Sequence, residues 1–223
     1  MHSHLLPGLD DGVKTFEEAL SVVLALKTLG YNKFITTPHV ISDIYRNTTQ
    51  MILDRCDELN DFLTAQCVDV TVHAAAEYYL DESLIHNIRK DEPLLTFGNR
   101  FLLFETNFVT EPLILKEFIF LASTKGYKLI LAHPERYLYL HDNFEKVEDL
   151  KNRGVLFQVN ISSLAGHYSR PAQKLAQYII DKQWIDFLGT DCHNLKQVDV
   201  LRKSASTKYF EKAVNLPLLN HSL

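Results

Sequence analysis

The sequence predicts an α/β fold in which parallel strands are joined by crossover helices, and seven such units point to a closed or nearly closed barrel. Three observations carry this. Strand-like and helix-like segments alternate without a linker, in units of roughly thirty residues, the length of a βαβ repeat. A polar side chain able to ligate a metal or form hydrogen bonds ends each strand in turn: His4, His39, Glu77, Glu105, His133, Asn160 and Asp191, spaced 27 to 38 residues apart. In barrels of this kind, chemistry gathers at the C-terminal strand ends. Finally, 223 residues of which 46% are hydrophobic and 23% charged suit one large folded domain.

In chain order, His2 and His4 occupy the first strand. Thr15 with Glu18 three residues on forms a capping box for a helix over 16–29, which Gly30 stops. A strand is expected over 31–37. The helix over 49–65 carries Ile52, Cys56, Leu59 and Leu63 on one face. Alternation and β-branching place a strand over 68–72, and a short helix and loop over 84–95. Further strands are expected over 101–106, 128–133, 155–160 and 185–191. Helices between them start near Pro112, Phe144 and Pro171, with the prolines where a first turn tolerates them. One last helix is expected over 200–214.

The strand ends define the candidate site. His2-Ser3-His4 sets two imidazoles on one face of a strand, because side chains repeat every second residue. On its own this is equally a surface pair; Asp191-Cys192-His193 repeats the geometry and favours a metal. Glu77 and Glu105 each close an apolar strand, where a carboxylate needs a salt bridge or a cation. Asp11, in Asp10-Asp11-Gly12, is a ligand or part of a turn. His39 and His133 each adjoin a proline that stiffens the strand exit. Imidazoles and carboxylates without thiolates suit Zn²⁺, Mn²⁺ or Fe²⁺. Nine candidates (His2, His4, Asp11, His39, Glu77, Glu105, His133, Asp191, His193) suit two or three ions better than one. Three divalent ions against the carboxylates of Asp11, Glu77, Glu105 and Asp191 leave an excess of positive charge, which favours a dianion such as a phosphate monoester. Arg136, three residues after His133, supplies a bidentate anion clamp or a surface salt bridge. Arg136 and Glu105 are the candidate catalytic residues. Cys192, between two ligands, points the other way and packs as a small hydrophobe. Tyr78, Tyr79, Tyr137 and Tyr168 either stack on a substrate ring or pack.

Several function classes are disfavoured. A net charge of −5 provides no global field for nucleic acid or anionic lipid. No apolar run approaches the roughly 18 residues that span a bilayer, and no secretory signal is visible. Three cysteines at no metal-finger spacing suit a reduced, cytoplasmic setting. The C-x-x-x-x-x-R loop of cysteine phosphatases is absent, since Phe62, His73 and Val198 stand six residues past Cys56, Cys67 and Cys192.

H-S-H-L-L-P-G-L-D-D-G at 2–12, T-P-H at 37–39, A-E-Y-Y-L-D at 76–81, F-E at 104–105, A-H-P-E-R-Y at 132–137 and G-T-D-C-H-N at 189–194 resemble the polymerase-and-histidinol-phosphatase (PHP) superfamily. More narrowly, they resemble its bacterial tyrosine-protein phosphatase branch, associated with capsular and exopolysaccharide synthesis. The resemblance implies one PHP-type domain over 1–223, a distorted seven-stranded TIM-like β/α barrel and three divalent ions, Mn²⁺ first and Fe²⁺, Zn²⁺ or Mg²⁺ otherwise. By position, one ion would take His2, His4, Glu77 and Asp191. A second would share Glu77 and add Glu105 and His133, and a third would take Asp11, His39 and His193. Arg136 matches the phosphate-binding arginine. The implied substrate is the phosphotyrosine tail of a membrane-associated autokinase. The chain departs from the pattern at Val200, where some members carry a second arginine; Lys196 and Arg202 lie nearby. The rivals are a phosphoesterase for histidinol phosphate or a nucleotide, and a non-catalytic module that keeps metals for structure.

Overall fold

Alternating strand and helix segments can bury both faces of a parallel sheet only by wrapping helices around it, and this chain does so. A computed structural model describes residues 1–223. The strands are β1 (Lys33–Thr36), β2 (His39–Val40), β3 (Thr71–Ala74), β4 (Glu77–Tyr79), β5 (Phe101–Glu105), β6 (Lys128–Ala132), β7 (Leu156–Asn160) and β8 (Ile185–Gly189). All strand pairs are parallel, in the orders β1-β3 and β2-β4-β5-β6-β7-β8. β1 and β2 are one stave interrupted at Thr37-Pro38, and β3 and β4 another interrupted at Ala75-Ala76. The N-terminal residues supply the seventh stave. Thr37 donates to the Ser3 carbonyl at 2.7 Å, Asp191 to that of His2 at 2.9 Å, and His4 to that of Cys192 at 2.9 Å. These bonds join the two ends of the sheet and close the barrel.

The helices are α1 (Phe16–Lys27), α2 (Thr49–Ala65), α3 (Glu82–Arg89), α4 (Leu115–Thr124), α5 (Phe144–Asn152), α6 (Arg170–Asp181), α7 (Leu195–Ser204) and α8 (Lys208–Val214). Side-chain caps fix every start but that of α4: Thr15, Thr48, Asp81, Asn143, Ser169, Asn194 and Thr207 each accept a backbone N–H of the first turn. A large core lies between helices and strands, and a smaller apolar cluster (Ile35, Ala75, Phe97, Phe101, Leu103, Ile130, Ala132, Phe187) fills the barrel interior.

The structure moves several boundaries. The strand expected at 185–191 ends at Gly189, and the helix expected from 200 begins at Leu195. The strand expected at 68–72 runs over Thr71–Ala74, because Cys67, at φ 57°, and Val68, donating to Leu63, are spent on leaving α2. The strand expected at 31–37 narrows to Lys33–Thr36. The helix expected at Pro112 starts at Leu115; the Pro112 carbonyl accepts the Leu115 N–H in the preceding turn. The last helix is two, because the Thr207 side chain caps a fresh start by accepting the Phe210 N–H. No helix is long and apolar enough to cross a membrane.

Candidate metal centre

Strand alternation delivers the site. Ala75 and Leu103 point into the barrel, and two residues further along the same faces stand Glu77 and Glu105. Leu156, Gln158 and Asn160 follow the same rule on β7. His2, His133 and Asp191 break it: their φ values of 60°, 35° and 48° lie in the left-handed region. Each such residue costs about 1–3 kcal/mol, a strain that clusters at functional sites. His2 and His133 then reach Glu77, and Asp191 reaches His2 and His4.

The side chains of Glu77, Asp191, His2, His4 and His133 are buried, as is Glu105, and those of His39 and His193 nearly so. Glu77 is the hub. Its Oε2 lies 3.1 Å from His2 Nε2, 3.4 Å from His4 Nε2 and 3.3 Å from His39 Nδ1, and its Oε1 lies 3.1 Å from His133 Nε2. Asp191 Oδ1 is 3.4 Å from both His2 Nε2 and His4 Nε2. Glu105 Oε1 is 3.0 Å from His39 Nδ1. Asp11, 56% exposed, forms the open side, with Oδ1 3.5 Å from His39 Nε2 and from His193 Nε2. It opens onto a groove of about 540 Å³ lined by Gly12, His193 and Lys196 among others.

Four groups of donors lie close enough to share an ion: His4, Asp11, His39 and His193; His2, His4 and Glu77; His2, His133 and Asp191; and His39, Glu77 and Glu105. Together they draw on nine residues, the same nine singled out in the sequence. The grouping differs from the positional partition: Glu105 shares a group with Glu77 and His39 and not with His133, Asp191 is grouped with His2 and His133, and His4 also joins the outer set.

The donor chemistry fits divalent cations. His2 Nδ1 donates to Gln158 Oε1, His4 Nδ1 to Asp10 Oδ2 at 2.6 Å, and His193 Nδ1 to the Asp191 carbonyl at 2.9 Å. Each bond fixes the tautomer and turns an Nε2 lone pair toward carboxylate oxygens, the arrangement that orients metal-binding imidazoles. Lone pair facing lone pair is repulsive unless a cation or a proton lies between. Of the buried ring nitrogens, His133 Nδ1 has no polar partner, and His39 Nδ1 faces only the Glu77 and Glu105 carboxylates.

Electrostatics agree. Burial alone would lower the His2, His4 and His39 imidazoles, but acidic neighbours outweigh it: Glu77 and Asp191 at His2, Asp10 at His4, and Glu77 with Glu105 at His39, which is raised to about 9. Burial would raise Glu77 and Asp191, yet the imidazoles, His2 foremost, hold both well below the carboxylate range. His133 is lowered, by burial and then by Arg136.

Arg136 reaches the cluster through Asp191, Nη1 to Oδ2 at 2.9 Å. It makes no other side-chain hydrogen bond, so Nε and Nη2 keep free N–H groups. Its guanidinium lies between the rings of Phe108 and Tyr168, 4.7 and 4.5 Å from their centroids. Both readings of Arg136 therefore meet in one side chain: it is salt-bridged, and it retains donors. Lys196 is exposed, and Arg202 bonds Thr28. Of the candidate aromatics, Tyr137 is buried, Tyr78 accepts the Leu95 N–H and Tyr168 packs on Arg136. Cys192 faces the main core, and burial pushes its thiol up to about 12.

Sequence reasoning missed the supporting residues. Asp10 was read only as part of a turn, yet it holds His4 and accepts the His39 N–H at 3.0 Å. Gly12 lets that loop close, since a Cβ there would lie 2.3 Å from the His4 carbonyl oxygen. Gln158 was visible as an amide inside an apolar strand, two residues before Asn160. Phe108 left no signal. Glu135 is buried, accepts from Asn160 N and Ser163 Oγ, and is raised by burial to about 7.

Comparison with known proteins places this arrangement. The Staphylococcus aureus protein CapC is 26% identical over 195 residues, covering 87% of this chain and 76% of CapC. The tyrosine-protein phosphatase YwqE of Bacillus subtilis (strain 168) is 25% identical over 196 residues, covering 88% and 77%. A solved structure from work on YwqE of Bacillus subtilis and CpsB of Streptococcus pneumoniae, described as unique metal-dependent tyrosine phosphatases, shares the fold with a TM-score of 0.82 at 24% identity, covering 96% of this chain and 92% of that one. The sequence profile of the capsular polysaccharide synthesis family CpsB/CapC matches residues 1–215, and the chain belongs to that family.

Proposed function

We propose that this chain is a metal-dependent protein-tyrosine phosphatase. Its substrate is the phosphotyrosine tail of a membrane-associated autokinase that regulates capsular or exopolysaccharide synthesis, and it works in the cytoplasm as one PHP-type domain over 1–223. The observation that carries the reading is the convergence of nine imidazole and carboxylate donors beside an arginine with free N–H groups. Membership of the CpsB/CapC family and the names of the relatives support it.

His2, His4, Glu77 and Asp191 would hold one divalent ion, Glu77, Glu105 and His133 a second, and Asp11, His39 and His193 a third, with His39 between the last two sets; Mn²⁺ is the first choice. When bound, such ions supply hydroxide near neutral pH and offset charge at phosphorus. The chain's own residues do the rest. Arg136, braced by Asp191, takes phosphoryl oxygens on its free N–H groups and favours the charge that develops there. Glu105, at the strand end next to Glu77, keeps the site's charge low enough for a dianion to enter and leave. Tyrosine, with a free pKa of about 10, departs without a strong general acid. No cysteine belongs to any of the donor groups, and burial pushes the Cys56 and Cys192 thiols up to about 11 and about 12.

The test is elemental analysis of purified protein together with turnover of a phosphotyrosyl peptide, histidinol phosphate and a nucleotide. Expected are bound divalent metal, preference for the peptide, loss of turnover on exhaustive chelation and recovery with Mn²⁺. Full activity after chelation ends the proposal, and preference for the small phosphate transfers the chain to the rival phosphoesterase reading. Metal without any turnover makes it a structural module.

A further inference from the structure

We propose that Phe108 is the aryl subsite of this centre: a phenyl platform that receives the aromatic ring of a phosphotyrosyl side chain while the phosphoryl group meets Arg136. The inference rests on the phosphatase reading above and adds the element that selects aryl over alkyl phosphates.

Phe108 lies three residues beyond Glu105, in the loop that follows β5. Its ring is stacked on His133, centroids 5.7 Å apart at 22°, and the Arg136 guanidinium sits 4.7 Å from its centroid. It therefore touches two residues of the candidate site, yet it remains 37% exposed. Its neighbours share that exposure: Val109 is 61% and Leu138 54% exposed. The loop is held in place. Asn107 Oδ1 accepts the N–H groups of Val109 and Thr110 at 2.8 and 3.0 Å, and the Phe108 carbonyl accepts the Leu138 N–H at 2.7 Å. An ordered loop that keeps apolar side chains in water beside an anion clamp is spending stability on something other than its own packing.

The mouth of the site is asymmetric. On one side stand Asp11, His193 and Lys196, polar and solvated. On the Arg136 side stand Phe108, Val109 and Leu138. Since Nη1 of Arg136 is taken by Asp191, a phosphate accepts in the guanidinium plane from the remaining N–H groups, the Phe108 and Tyr168 rings packing on the guanidinium itself. The group esterified to that phosphate then lies next to the exposed part of the Phe108 ring. A phenyl ester gains an offset or edge-to-face contact there. A short aliphatic ester, such as phosphoserine, has no ring to offer.

The test measures binding by calorimetry to Mn²⁺-loaded protein, using phenylphosphonate, methylphosphonate and inorganic phosphate as probes, in the wild type and in Phe108→Ala, Phe108→Leu and Phe108→Trp. Phe108→Leu fills most of the space without a π face, so it guards against a loss that reflects only a collapsed loop. Phe108→Ala and Phe108→Leu should weaken phenylphosphonate by about threefold to tenfold, the range one aromatic contact supports. Phosphate and methylphosphonate should move by less than about twofold, and Phe108→Trp should retain the phenyl preference. Equal weakening of all three probes would overturn the proposal and leave Phe108 as a brace for Arg136. Unchanged phenylphosphonate binding would overturn it as well. The phosphatase reading fails separately, as a wild type that binds phosphate but does not hydrolyse a phosphotyrosyl peptide; a phenyl preference that depends on Phe108 in that protein would still support the subsite.

Discussion

The base and the top of the barrel are built from the same strands and obey opposite rules. At the base, Ile35, Ala75, Leu103, Ile130 and Phe187 fill the interior with apolar side chains, and Phe97 and Phe101 meet Phe187 edge-on. At the top, two residues later along several of those strands, the interior holds Glu77, Glu105 and the imidazoles. The base gains free energy from removing surface from water. The top gathers buried acids, turns three side chains through left-handed backbone and leaves the His133 Nδ1 nitrogen without a partner. The bottom therefore accounts for why the barrel folds, and the top for what it is folded to hold.

The first way to break this contrast is to damage each end alone. Phe187→Ala opens a cavity in the base and should cost about 3–5 kcal/mol of stability by denaturant unfolding, while metal content per folded chain stays constant. Glu77→Gln does the converse: circular dichroism should remain native, bound metal should disappear from elemental analysis and turnover should fall by more than about a hundredfold. If Phe187→Ala stripped the metal from chains that remained folded, the two ends would not be separable.

The seam between the ends sharpens the comparison. Gln158 is inward-facing like its neighbour Leu156, but its amide crosses Gly189, where a Cβ would lie 2.3 Å from Nε2. That path lets Oε1 accept from His2 Nδ1 and Nε2 donate to Asn160 Oδ1, while Asn160 Nδ2 donates to Asp191 Oδ2. A supporting shell of this kind is worth about tenfold to a hundredfold in metal affinity. Gln158→Leu should lose that much in competition with a chelator. Gly189→Ala, by displacing the same amide, should lose a similar amount, and the double variant should fall well short of the sum. Full additivity would mean that Gly189 does not act through Gln158.

The comparison also explains what was legible in the sequence. Glu77 and Glu105 were readable because a carboxylate beside an apolar run has few structural explanations, and His2-Ser3-His4 with Asp191-Cys192-His193 because paired donors two residues apart are rare, although left-handed backbone at His2 and Asp191, and not strand alternation, aims their side chains. The seven-unit rhythm was readable from its spacing. The breaks at Thr37-Pro38 and Ala75-Ala76 were not, since neither strand run carries a pairing signal that stops there. Nor were the roles of Asp10 and Phe108: an acid in a turn and a phenylalanine in a loop acquire meaning only from what folds against them. The division of the last helix turned on Thr207, a cap that reads as an ordinary threonine until the Phe210 N–H reaches it.

The smallest effect concerns the residue that separates the two regions most narrowly. Cys192 stands between Asp191 and His193, yet its side chain is buried in the main core and its Sγ reaches only the Asn194 carbonyl, at 3.5 Å. Burial holds its thiol at about 12 and that of Cys56 at about 11, so at pH 8 neither forms appreciable thiolate. Cys67 alone is exposed. Iodoacetamide at pH 8 should therefore modify one thiol per native chain, at Cys67, and leave turnover unchanged. Cys192→Ala should cost about 1 kcal/mol of stability for the lost apolar contact and nothing in metal content. Loss of metal in that variant would place the sulfur in the site and overturn the separation of core from chemistry at this strand exit.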